Sequence, residues 1–281
     1  MAVRVVTDST ADLAPEIAAE LGITVVPLSV VFGTHAFKDG IDINHDQFYE
    51  RLAREDALPT TSAPSVGDFQ SVYESLLKEG DVILSIHLSS KLSVTHDSAL
   101  QAARQLSDDG KLIRVVDSRS ISMALAFIAR SAAKAAKDGA TLDEVASLAE
   151  RSVPRVHLYF ILNTLEYVRR GGRIGHASAL LGTMLKIKPI LTLRNGEIFP
   201  EEKVRTRPKG LKRLVQLVAN HPRPTKMAVA YSTNRQEADG LRHRLAEIRP
   251  GLEVDLTRLS PVIGTHTGPG VLGAGLIEDD D

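Results

Sequence analysis

With 281 residues, 34 lysines and arginines against 35 acidic residues, and a net charge of −1, the chain has length for roughly two ordinary domains and no overall pull toward nucleic acid or an anionic membrane. It contains no cysteine, which removes disulfides, thiolate catalysis and cysteine-ligated metal sites and fits a reducing, cytoplasmic setting. Met1 leads straight into the strand-like Val3 to Thr7, and no apolar stretch approaches membrane-spanning length, so neither a signal region nor stable membrane insertion is expected.

In chain order, Val3 to Thr7 reads as a strand emptying into Asp8-Ser9-Thr10, followed by a helix to Leu21 that Gly22 stops. Ile23 to Val31 reads as the next strand, and Phe32 to Asp42, with Gly33 and Asp39-Gly40, as a ribbon or irregular excursion. A short helix is expected over Asp46 to Arg54. Leu58 to Ser65 is a loop, because two prolines and a run of hydroxyl residues exclude a helix. Ser65 with Asp68 forms a capping pair for a helix to about Glu79.

Asp81 to Leu88 is short, apolar and β-branched enough for a buried strand, and Thr95 to Leu106 has the pattern of a helix. Between them, Ser89-Ser90-Lys91-Leu92-Ser93-Val94-Thr95 gathers hydroxyls and helix-entry N–H groups, which suits an anion. Simple capping of the helix by Ser93 or Thr95 accounts for the same residues. Leu112 to Val116 ends in Asp117-Ser118 and repeats the earlier Asp8-Ser9 pattern. Three polar strand ends on one rim are what a parallel α/β sheet offers a ligand. Helices follow over Ser122 to Ala136 and, behind a Thr141/Glu144 capping box, Leu142 to Arg151. Val153-Pro154 marks a boundary. The expected fold is α/β in two domains: residues 1–153 with a mostly parallel sheet flanked by helices and carrying the hydroxyl turns, and residues 154–281 as a mixed α+β domain completing a pocket.

The second half reads as a strand (Val156 to Leu162), a helix (Thr164 to Arg170) and a sharp break at Gly171-Gly172-Arg173 before Ser178 to Leu185. A hairpin follows, turning at Asn195-Gly196, where positive backbone dihedrals are needed. Helices over Arg207 to Asn220 and Gln236 to Ile248 alternate with strands at Met227 to Tyr231, Glu253 to Leu259 and Val271 to Ile277. Glu278 to Asp281 reads as a solvated tail. Gly268-Pro269-Gly270-Val271-Leu272-Gly273 matches a dinucleotide fingerprint in letters only, because no room remains for the helix, strand and acidic residue such a site requires. The nine histidines are scattered, so no metal is expected. The basic run Lys203, Arg205, Arg207, Lys209, Lys212, Arg213 has no interleaved aromatics and fits a solvated face or a docking patch for an acidic partner, not a nucleic-acid platform.

Seven segments then carry a family resemblance. Thr7-Asp8-Ser9-Thr10-Ala11-Asp12-Leu13, Thr61-Ser62-Ala63-Pro64-Ser65, Ser89 to Thr95, Asp117-Ser118, Gly171-Gly172-Arg173-Ile174, Lys186-Ile187-Lys188-Pro189-Ile190 and His266-Thr267-Gly268-Pro269-Gly270 resemble, in order, the motifs of the DegV family. The resemblance implies a bacterial two-domain protein that binds a long-chain fatty acid, uses no other cofactor, performs no chemistry of its own and serves a separate ATP-dependent fatty acid kinase in phospholipid synthesis. It further implies that Thr61 and Ser93 donate hydroxyl hydrogen bonds to the carboxylate beside His266, with Ser62, Val94 and Thr95 completing the turns that cradle it. Arg170, Arg173, Lys203 and Arg205 are the candidates for meeting the kinase or the phosphate. For a sixteen-carbon acid, burial at about 0.8 kcal/mol per methylene gives roughly 10 kcal/mol before ordering costs, so affinity is expected from the tail and orientation from the polar end.

Two departures from the family pattern stand out. Val94 occupies a position commonly glycine and disfavours positive dihedrals, and Ala63 replaces a common glutamine. Two other readings stay open: a hydrolase acting on a lipid ester with Ser93 as nucleophile and His266 as base, which lacks a nucleophile elbow, and a phosphate-sugar binding module on the same rim. Acyl length, oligomeric state and the kinase's identity are not written in the sequence.

Overall fold

The computed structural model describes residues 1–55, 57–107 and 111–279. The fold is α/β, with a four-stranded parallel sheet, a six-stranded mixed sheet and a small antiparallel sheet whose three strands are inserted in chain order within the first.

The first sheet has the order β2 (Ile23–Val26), β1 (Val3–Asp8), β6 (Val82–His87), β7 (Ile113–Asp117), every pair parallel. Alternation along its strands divides two cores. Val6 and Ile83 face α3 (Val66–Lys78) and α4 (Thr95–Leu106), while Val5, Leu84 and Ile86 face α5 (Ser122–Lys137) and α6 (Leu142–Ser152). The Ser65/Asp68 and Thr141/Glu144 capping boxes form as read. The first helix starts later than expected: Ser9–Ala11 is a single 3-10 turn, and α1 spans Pro15–Leu21, ending on Gly22 at φ 66°.

The apolar run from Ile23 to Val31 is two strands, not one. Pro27 has no N–H for a ladder, so pairing with β1 ends at Val26, and β3 (Ser29–Phe32) joins a separate antiparallel sheet with β4 (His35–Lys38) and β5 (Thr60–Ser62). Thr60 to Ser62, expected as loop, is therefore an edge strand: prolines at 59 and 64 exclude a helix but leave three extended residues between them. This sheet packs on α2 (His45–Arg54) through Val30, Phe32, Phe48 and Leu52.

The second large sheet has the order β10 (Glu197–Val204), β9 (Lys188–Arg194), β8 (Val156–Ile161), β13 (Leu272–Glu278), β11 (Pro224–Tyr231), β12 (Val254–Arg258). Only β11 and β12 run parallel among these neighbours. Its outer face packs on α8 (Arg207–Ala219) and α9 (Arg235–Ile248). Its inner face, with Leu158, Phe160, Leu191 and Ala230, meets Met123, Ala124 and Phe127 of α5. Gly275 lets that helix come close: a Cβ there would stand 2.7 Å from Met123 Sδ. The short helix α7 (Glu166–Arg170) precedes a 3-10 stretch over Gly175–Lys186. Helix α10 (Pro261–Thr267) had no counterpart in the sequence reading. Glu278 is not part of a free tail, since it closes β13 and bonds two histidines; Asp280 and Asp281 lie outside the described residues. Among the described residues no helix is long and apolar enough to cross a membrane.

A cavity with one polar end

A cavity opens between the inner face of the second sheet, the start of α5 and helix α10. Its walls are apolar, with Met123, Leu158, Phe160, Ile198, Ala230 and Ile263 among them, and its polar lining is sparse. That combination suits a ligand with a long apolar body and one polar group.

His266 reaches the cavity because α10 is held on three sides. Ser260 caps the helix by accepting the Ile263 N–H, Pro261 occupies its first turn, and Gly264 lies so close to α2 that a Cβ would stand 2.6 Å from the Phe48 ring and the Tyr49 hydroxyl. Asp12 fixes the entry, its carboxylate accepting the Ser260 N–H at 2.8 Å and the Ser122 hydroxyl. Burial pushes the Asp12 carboxyl up to about 7, against the opposing effect of those two hydrogen bonds.

In the last turn of α10, His266 Nε2 lies 2.8 Å from Thr61 Oγ1 of β5. Burial, helped by the charge of Arg173, lowers the imidazole to about 4, so it is neutral near pH 7. Its Nδ1 is buried and has no hydrogen-bond partner among the described residues. The missing Cβ of Gly171 would fall 2.2 Å from that nitrogen, so an α-hydrogen points at it. A proton on Nδ1 would face this C–H directly, and we therefore assign the proton to Nε2, where it is donated to Thr61. The Thr61 hydroxyl keeps its own hydrogen for a ligand oxygen.

Ser93 lines the same cavity. Its hydroxyl pairs with Thr95 Oγ1 at 2.9 Å and accepts the Thr95 N–H at 3.3 Å, so Ser93 also shapes the entry to α4. Of the N–H groups in the turn, Ser93 is bonded to the Ser89 carbonyl and Thr95 to Ser93 Oγ. The other hydroxyls of this stretch are structural: Ser89 donates to the Gly196 carbonyl across the two halves, and Ser90 to Asp117, which draws the ends of β6 and β7 together.

The candidates from the sequence thus separate. Thr61, Ser93 and His266 share one cavity, while Thr95 is fully buried against Ser93, and Ser62 is exposed and bonded to its own neighbour's carbonyl at 3.3 Å. Val94 is 63% exposed at φ −79°, where a valine is unstrained, so its difference from glycine distorts nothing in the turn. Arg173 belongs with the cavity: it lines it, and it donates from Nε to the Leu92 carbonyl at 3.1 Å and from Nη1 to the Gly171 carbonyl at 2.7 Å. These bonds tie it to the Ser93 turn on one side and the His266 wall on the other. Arg170 is paired with Glu166, and Lys203 and Arg205 are exposed outside the cavity. Sequence reasoning missed Asp12 as the brace of α10; its place in the Thr7 to Leu13 segment, after a strand end, was the available signal.

No Ser93–His266 hydrogen bond occurs among the described residues; each is bonded to a threonine instead. A serine nucleophile needs its base within hydrogen-bond reach, so the pair lacks that arrangement.

The chain matches the model of the DegV family of uncharacterised proteins over residues 2–279. A DegV domain-containing protein of Streptomyces coelicolor is 42% identical over 275 residues, covering 96% of each chain. Two solved structures superpose with a TM-score of 0.90: DegV of Bacillus subtilis, described as a fatty acid binding protein, at 35% identity, and a DegV family protein of Thermus thermophilus, described by its fatty acid binding, at 33%. Both comparisons cover 99% of this chain and 100% of the other. A cavity with this polar end and matches along almost the whole length lead to one conclusion: the chain belongs to the DegV family.

Proposed function

We propose that this protein binds a long-chain fatty acid in the cavity and carries it without chemistry of its own. The observation that supports this most is the contrast within one cavity between largely apolar walls and the Thr61–His266 pair, Ser93 and Arg173. The structurally similar proteins of B. subtilis and T. thermophilus, both described as fatty acid binding, point the same way. The carboxylate would accept hydrogen bonds from the Thr61 and Ser93 hydroxyls, and the guanidinium of Arg173 would add a charge-assisted one. Neutral His266 serves to hold Thr61 with its hydrogen facing the ligand.

The carboxylate end would be offered to a separate ATP-dependent kinase for acyl phosphate formation in the cytoplasm. The exposed Arg170, Lys203 and Arg205 are the candidates for meeting that partner, and Arg173 for meeting the phosphate.

Denaturing lipid extraction and mass spectrometry of the purified protein tests the binding reading. A stoichiometric fatty acid is expected in the wild type, and a reduced amount in the Thr61→Val, Ser93→Ala double variant. An empty wild type that also refuses added fatty acid after delipidation overturns it.

A further inference from the structure

We propose that His157, His221 and Glu278 form a binding site for one divalent transition-metal ion of the zinc class, on the face of the second sheet away from the fatty acid cavity. The three residues come from separate elements. His157 is near the start of β8, Glu278 ends the antiparallel neighbour β13, and His221 lies in the connection from α8 to β11. Leu158, next to His157 along β8, lines the cavity, so alternation turns His157 to the opposite face.

The geometry supports the assignment. Glu278 Oε2 lies 3.1 Å from His157 Nε2 and 3.2 Å from His221 Nδ1, and one donor atom from each residue lies within 4.8 Å of the other two. An ion with metal–nitrogen and metal–oxygen bonds of about 2.0–2.1 Å in a tetrahedral shell needs donors about 3.3 Å apart, so two edges are already in place. The side chains are 29%, 15% and 23% exposed, which leaves water a fourth position. Two imidazoles and one carboxylate favour zinc, cobalt, nickel or copper over calcium or magnesium, which take oxygen ligands.

An outer support is also present. Tyr159 OH lies 3.0 Å from His221 Nε2. When Nδ1 turns to a metal, the ring proton moves to Nε2 and is donated to the tyrosine oxygen, and the His157 proton moves to its Nδ1; both rings stay neutral. Arg155 donates to the Glu278 carbonyl at 3.2 Å and Arg249 to the His221 carbonyl at 2.6 Å, which holds the main chain of two of the three residues.

The test uses the full chain without an affinity tag, stripped with a chelator and titrated with Co²⁺ followed by visible absorption, and with Zn²⁺ by calorimetry. One ion per chain is expected, with the intense visible bands of tetrahedral cobalt and a higher melting temperature on adding Zn²⁺. His157→Gln and His221→Gln, which retain a polar group, should each weaken binding more than tenfold, and Tyr159→Phe roughly tenfold. Unchanged fatty acid content in these variants reports that they fold. The proposal is overturned if no saturable binding occurs below about 100 µM metal, or if the double glutamine variant binds with the wild-type stoichiometry and affinity; the three residues are then a hydrogen-bonded cluster only.

Discussion

Thr61 and His266, 205 positions apart in the chain, meet at 2.8 Å, and the carbon of Gly171 stands directly behind the ring. The imidazole is thus confined between a hydroxyl and a main-chain atom. Gly171 has an ordinary φ of −70°, so alanine fits the backbone there and its effect is purely steric. Gly171→Ala should displace His266, cost about 1–3 kcal/mol and lower fatty acid retention. Mass spectrometry and thermal unfolding of the same sample check both effects.

His266 also predicts a pH dependence. Its folded value of about 4 lies below its ordinary 6.5, so folding favours the neutral ring. The stability this gives is full above pH 6.5 and is lost as pH falls toward 4, by up to about 3 kcal/mol. Asp12 and Asp39, both pushed up to about 7 by burial, slope the other way across an overlapping range. The check is therefore a difference: urea unfolding of wild type minus His266→Gln should lose wild-type advantage between pH 6.5 and 4.

For Asp12 the sign reverses. A folded value raised from 3.8 to about 7 means that the stabilising contribution is full below pH 3.8 and lost as pH rises through 7. Asp12→Asn keeps an acceptor for the Ser260 N–H and tolerates the φ of 52° at this position. It should gain stability relative to wild type between pH 4 and 8, by as much as about 4 kcal/mol, measured by denaturant unfolding across that range.

Ala230 lines the cavity and is buried in the inner face of the second sheet. Leucine there takes space that the acyl chain would use. Ala230→Leu should shift the extracted fatty acids toward shorter chains, at about 0.8 kcal/mol per methylene excluded. The chain-length distribution in the mass spectrum is the readout, and an unchanged distribution would place the acyl chain elsewhere.

Much of this fold is legible where local signals and burial agree. The helix from Thr95 to Leu106 and the Ser65/Asp68 and Thr141/Glu144 capping boxes match the sequence reading because each is fixed by neighbours within four positions. The break at Pro27 was hidden by apolar residues on both sides, which share a pattern but enter different sheets. Helix α10 was hidden by Gly264 and Gly268, whose value lies in contacts with Tyr49 and Tyr167 that no local pattern records. The Ser260-Pro261 start was a usable signal. At the site, Thr61, Ser93 and His266 came from the family resemblance and share a cavity, and Arg173, named by the same resemblance for the kinase or phosphate, lines that cavity too because the chain's return brings Leu92 to it.

The missing side chain at Gly275 of β13 has a consequence for how the molecule comes apart. Because Gly275 lets α5 press on the second sheet, that helix gives Met123, Ala124 and Phe127 to one core and Leu125, Ile128 and Ala132 to the other. Neither half can lose its structure without stripping a face from the helix the other half depends on. Heat or denaturant should thus melt both halves in a single cooperative step, and a fragment ending at residue 153 should aggregate through the bared side of α5.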